Sequence, residues 1–139
     1  MAEGGEMSAK IHPLAVVDPA AELGDGVEVG PFCTVGPHVR LGDGCVLRSH
    51  VSVSGHTTLG AGCEVWPFAS VGGKTQDLKY KGGAPRLTVG EGTVIRECAT
   101  LSCATFDGME TKMGAFFSCL TWRAIPGPLS KLHRRIDSL

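Results

Sequence analysis

One stretch is dense in groups able to grip a ligand: KTQDLKYKGG, Lys74 to Gly83. It holds Gln76, Asp77, Lys79, Tyr80 and Lys81, with Arg86 close behind, and Gly72, Gly73, Gly82 and Gly83 on its flanks. A carboxylate and an amide can accept from and donate to hydroxyls. Amines can face phosphate oxygens. Such a set suits a neutral sugar carrying a phosphate. A solvated loop with ordinary surface charge is the plainer alternative. Nothing here has the spacing of a phosphate-binding P-loop or of a dinucleotide fingerprint.

Other chemistry-bearing residues are less suggestive. The six cysteines, Cys33, Cys45, Cys63, Cys98, Cys103 and Cys119, contain no CxxC and no zinc-type pairing with histidine. Most of them read as small buried residues of a reducing compartment, and no metal site is expected. The five histidines are His12, His38, His50, His56 and His133. Four precede the loop and read as surface, turn or intersubunit residues.

The elements that must position these groups come from a period of six. Ile11, Val17, Leu23, Val29, Val35, Leu41, Leu47, Val53, Leu59, Val65 and Val71 are all aliphatic. The residue two before each is small or β-branched from Ala15 onward, for example Cys33, Val39, Cys45, Val51 and Cys63. Residues two apart share a face of a strand, so each hexapeptide points one small and one larger group inward. No helix holds this period. A stacked solenoid does. Gly24-Asp25-Gly26 returns at Gly42-Asp43-Gly44, and Pro31-Phe32 at Pro67-Phe68, at eighteen and thirty-six residues. His38 and His56 are also eighteen apart. Three hexapeptides per coil predict a three-sided parallel β-helix; a right-handed β-helix with longer turns is the rival. The register lapses after Val71 and returns at Val89, Ile95 and Leu101. The intervening loop, 73–87, either replaces a coil or bulges from one.

The chain has 139 residues, with 13 basic and 14 acidic side chains and a net charge of -1. That size fits one domain. The charge balance argues against nucleic acid as a partner. No run approaches the roughly 18 apolar residues of a membrane span. Residues 1–10 lack an apolar signal core and read as a flexible lead-in, which makes the cytoplasm the default compartment.

The segments IHPLAVVDPAA, VGPFCTVGPHVRLGDG, LRSHVSVSGHTTLG, FASVGGKTQDLKYKGG and VIRECATLS together resemble the UDP-N-acetylglucosamine O-acyltransferase family. That family opens lipid A biosynthesis and belongs to the hexapeptide-repeat acyltransferases. The resemblance covers about residues 10 to 114. It implies an all-β, left-handed parallel β-helix over 11–114, assembled as a homotrimer with sites between subunits. It implies transfer of a 3-hydroxyacyl chain from acyl carrier protein to the 3-hydroxyl of UDP-N-acetylglucosamine, with no cofactor. Asp77 and Lys79 match family residues that contact substrate, and Gln76 lies beside them. His50, His56 and Arg96 match family positions without a role being assigned.

The family base is a histidine, suited to taking the hydroxyl proton and returning it to the departing thiol. It follows a segment of the type TKxG...AHxAHDC. Here the sequence reads TKMGAFFSCL, and no such histidine follows Gly114. Ser102 stands where the family carries a substrate-binding histidine. No catalytic residue is therefore assigned, and the chain taken alone is expected to be inactive. Residues 115–139 read as a non-family tail of the kind that a frameshift, a sequencing error or a mis-assembled gene would give, with a naturally shortened protein as the alternative. Leu129, Leu132, Ile136 and Leu139 fall at the spacing of a short helix. A non-catalytic β-helical binding or assembly module and another hexapeptide sugar O- or N-acyltransferase are the alternatives.

Overall fold

A computed structural model describes residues 8–73, 84–104, 108–116, 118–119 and 123–124. In chain order the strands are β1 (Lys10–Ile11), β2 (Val16–Val17), β3 (Glu22–Leu23), β4 (Glu28–Val29), β5 (Thr34–Val35) and β6 (Arg40–Leu41). Then come β7 (Val46–Leu47), β8 (Ser52–Val53), β9 (His56–Leu59), β10 (Glu64–Val65), β11 (Ser70–Gly73) and β12 (Arg86–Val89). The last are β13 (Val94–Ile95), β14 (Thr100–Ser102), β15 (Glu110–Met113), β16 (Ser118–Cys119) and β17 (Arg123–Ala124). Every third strand stacks in parallel. Face A is β1-β4-β7-β10-β13-β16, face B is β2-β5-β8-β11-β14-β17, and face C is β3-β6-β9-β12-β15. The molecule is a left-handed parallel β-helix of three faces.

Backbone amides donate to the coil above, as from Glu28 N to Cys45 O at 2.9 Å and from Gly30 N to Leu47 O at 2.8 Å. Stacking therefore satisfies the main chain while the hexapeptide fills the interior. Val29, Leu47, Val65 and Ile95 line up behind face A. Val35, Val53, Val71 and Leu101 do so behind face B. All eight are at most 3% exposed. Each such side chain contributes about 1.5–3 kcal/mol on burial. Cys33, Cys45 and Cys63 occupy the small inward slot, fully buried. Burial pushes the Cys33 thiol up, and the neighbouring Cys63 together with burial does the same to Cys45. Those two thiols serve as core atoms.

The interruption resolves as an insertion within a coil. Val71 pairs with Val53 and Leu101 on face B, whereas Val89 pairs with Leu59 and Met113 on face C. The eighteen residues between Val71 and Val89 are therefore not one coil. A regular step from face B to face C takes six residues, as from Val53 to Leu59. β11 and β12 run further toward each other than the 73–87 loop allows, which leaves 74–85 between them. Leu101 to Met113 is lengthened at the same corner.

The coil also runs on beyond Gly114. β16 pairs with β13 in register, and β17 pairs with β14. Loss of the side-chain period at 115 does not end the stack, because the exposed amides and carbonyls of the preceding coil pair with backbone of any sequence. Phe116 (φ 59°) stands at the corner where the coils below place Gly26, Gly44, Gly62 and Gly92 at φ of 72°, 73°, 72° and 67°. The expected helix over 129–139 lies outside the described residues, as does His133.

Candidate functional site

The KTQDLKYKGG segment is joined to the coil at the corner between faces B and C. Gly72 ends the coil there at φ 81°, a conformation that glycine adopts without penalty. A Cβ on Gly72 would run into the Ser54 carbonyl and the Thr57 hydroxyl. Thr57 Oγ1 donates to Ser54 O at 2.7 Å, and Cys103 N donates to Gly73 O at 3.0 Å. The exit is thus clamped from the coils on either side. Ser102 pairs with Gly73 across a register shift and is buried. Gln76, Asp77 and Lys79 lie outside the described residues; the structure fixes only the corner they are attached to.

On the face C side of this corner lies a cleft of about 610 Å³. Its wall is built from the outward residues of successive coils. His38 and His56 stack with ring centroids 4.3 Å apart and 7° between planes. Arg86 follows His56 in the same column, and Glu110 follows Arg86. Two residues further along, Glu22, Arg40, Thr58, Thr88 and Lys112 form a second column. Arg40 pairs with Glu22 at 3.3 Å. Glu110 accepts from Thr88 Oγ1 and faces Lys112 at 3.9 Å. The eighteen-residue spacing of His38 and His56 was legible in the sequence. Arg86 was not, because the insertion puts it thirty residues after His56 rather than eighteen.

The remaining histidines sit elsewhere. His12 Nδ1 accepts from Leu14 N at 3.0 Å in a turn. His50 (φ 54°) lies between Phe32 and Phe68 at the corner of faces A and B, 5.0 and 4.8 Å from their ring centroids. Arg96 covers Trp66 at 4.1 Å on face A, with Arg48 on the other side at 4.3 Å. Arg96 also donates to Glu97 at 3.0 Å and holds that carboxyl below its ordinary range. His50, His56 and Arg96 therefore occupy three separate places, and His56 alone of these lines the cleft.

Residues 20–55 match the model of the bacterial transferase hexapeptide (six repeats) family. The acyl-[acyl-carrier-protein]--UDP-N-acetylglucosamine O-acyltransferase of Akkermansia muciniphila is 54% identical over 105 residues, covering 76% of this chain and 40% of that protein. The Pseudomonas fluorescens protein of the same name is 59% identical over 105 residues, covering 75% and 41%. The crystal structure of the UDP-N-acetylglucosamine O-acyltransferase from Moraxella catarrhalis superposes with a TM-score of 0.78 at 36% identity, covering 81% of this chain and 45% of that one. The chain thus spans about two-fifths of the length of the curated relatives it matches. Residues 20–55 thus carry the hexapeptide repeat, and about three-quarters of the chain is similar to UDP-N-acetylglucosamine O-acyltransferases.

Proposed function

We propose that this chain carries the sugar-nucleotide half of an acyl transfer site, for a 3-hydroxyacyl chain passing from acyl carrier protein to UDP-N-acetylglucosamine in lipid A biosynthesis. The observation that carries the reading is the match of 54% over 105 residues to an enzyme of that name, spanning both the regular coils and the insertion. In this reading Asp77 and Gln76 hold sugar hydroxyls or the acetamide, and Lys79 faces a phosphate or the carrier arm. The B–C corner gives them a rigid base, which is what orientation at a reacting centre requires. The sites form between subunits of a homotrimer in the cytoplasm. Among the described residues, no helix is long and apolar enough to cross a membrane.

The base is the missing part. No histidine after Gly114 stands in the family's context within these 139 residues. Transfer then requires residues that this sequence does not contain. Incubating the chain with UDP-N-acetylglucosamine and 3-hydroxyacyl carrier protein should yield no acylated sugar nucleotide above a no-protein control. Grafting residues 10–114 onto the remainder of a full-length relative should restore product. Turnover by the chain alone would contradict the missing base. A folded, inactive graft would contradict the assignment itself.

A further inference from the structure

We propose that the face C cleft is a binding site for a phosphate ester, held by Arg86 and the stacked His38–His56 pair. This inference does not depend on Gln76, Asp77 or Lys79.

The carboxylates lining the cleft are already paired. The carboxylate of Glu22 is paired with Arg40, and that of Glu110 is held by Thr88 and Lys112. Both acids are therefore answered by cations. Among the described residues, the exposed guanidinium of Arg86 pairs with no carboxylate. It stands in register above His56, which is stacked on His38. The cleft consequently offers a planar fork of N–H donors and two imidazole edges along one column, and its carboxylates are turned to other partners. The complement is an anion.

Its shape favours phosphate over carboxylate. A guanidinium fork takes two oxygens of one anion. The imidazoles belong to the two preceding coils, His56 at the start of β9 and His38 in the turn before β6, at about the 4.8 Å repeat of stacked strands. They would need a third oxygen, or a second phosphate, which a carboxylate lacks. The volume of about 610 Å³ leaves room for the organic part of an ester. The stacking that places these rings follows from the coil repeat, so the site is preorganised by the fold.

The test titrates the chain by calorimetry, at fixed ionic strength, with pyrophosphate, uridine diphosphate, 4′-phosphopantetheine, uridine and acetate, while following histidine ring signals by NMR. The phosphate-bearing probes should bind and shift the His38 and His56 signals; uridine and acetate should not. Arg86→Gln should weaken binding about tenfold, the loss expected for one charged hydrogen bond. His56→Gln should weaken it as well, and serves if Arg86→Gln loses its β-sheet circular dichroism. Arg48→Gln, on face A, should leave binding unchanged. Tighter binding of uridine diphosphate or of 4′-phosphopantetheine identifies the source of the ester. The proposal is overturned by no binding of any phosphate probe, by equal binding of acetate, or by Arg86→Gln and His56→Gln binding as the parent chain does.

Discussion

Substituting Gly60 by alanine tests whether the coil resumes in register after the insertion. A Cβ on Gly60 would lie 2.6 Å from Glu91 N, 2.8 Å from Glu91 Cα and 3.0 Å from Gly90 C. These atoms are backbone of the next coil, thirty residues on, and they cannot move without parting β9 from β12. Overpacking of this kind costs about 1–3 kcal/mol. The loss of unfolded-chain freedom on replacing glycine returns about 0.4–1 kcal/mol. The net expectation is a destabilisation of about 1–2 kcal/mol. Gly62 is the internal comparison. Nothing lies within 4 Å of its Cβ position, but its φ is 72°. Alanine there meets only the left-handed penalty of about 1 kcal/mol. With a urea slope of about 1–3 kcal/mol per molar, Gly60→Ala should lower the midpoint by roughly 0.5–1 M. Gly62→Ala should lower it less. Urea unfolding followed by circular dichroism reads both. A Gly60→Ala midpoint equal to the parent, or a larger drop for Gly62→Ala, would refute the stacking of β12 on β9 and with it the placement of the insertion.

Leu87→Ala removes a fully buried side chain just after the insertion and should cost about 2–5 kcal/mol in the same urea experiment. Arg96→Gln should let the Glu97 carboxyl rise to its ordinary range in an NMR pH titration, since Arg96 is the main group lowering it. Because the folded value is depressed, the pair's contribution is present above the unfolded carboxylate pKa and is lost as pH falls through the folded one. An unchanged Glu97 titration would remove Arg96 as the cause. Of the five cysteines with described side chains, Cys98 is the exposed one. Alkylation with peptide mass mapping should label it in the folded chain well before Cys33, Cys45, Cys63 and Cys103.

Much of the architecture was legible because the hexapeptide is a direct record of the stack. Alternation of a small residue such as Cys45 and a larger one such as Leu47 writes each coil into the sequence, and the glycine turns count the faces. Two features were hidden by the same rule. Val71 and Val89 are eighteen residues apart, a spacing that fits a replaced coil as well as a bulge, and only strand register shows that they lie on different faces with the insertion between them. Beyond Ala115 the side-chain period is gone, but backbone pairing places β16 and β17 where no aliphatic pattern marks them. At the candidate site, the stacked histidines could be seen from spacing. Arg86 joined them only once strand register was known. The chemistry of Gln76, Asp77 and Lys79 came from residue types and family resemblance, and their arrangement is not written in any period.

The KTQDLKYKGG segment is proposed to bind a sugar nucleotide. Calorimetric titration of the chain with UDP-N-acetylglucosamine, repeated on Asp77→Ala, tests that directly. The expected result is saturable binding that Asp77→Ala weakens about tenfold or more, as loss of a charged hydrogen bond to a hydroxyl or amide requires. Binding of equal strength in both chains, or none in either, would contradict it.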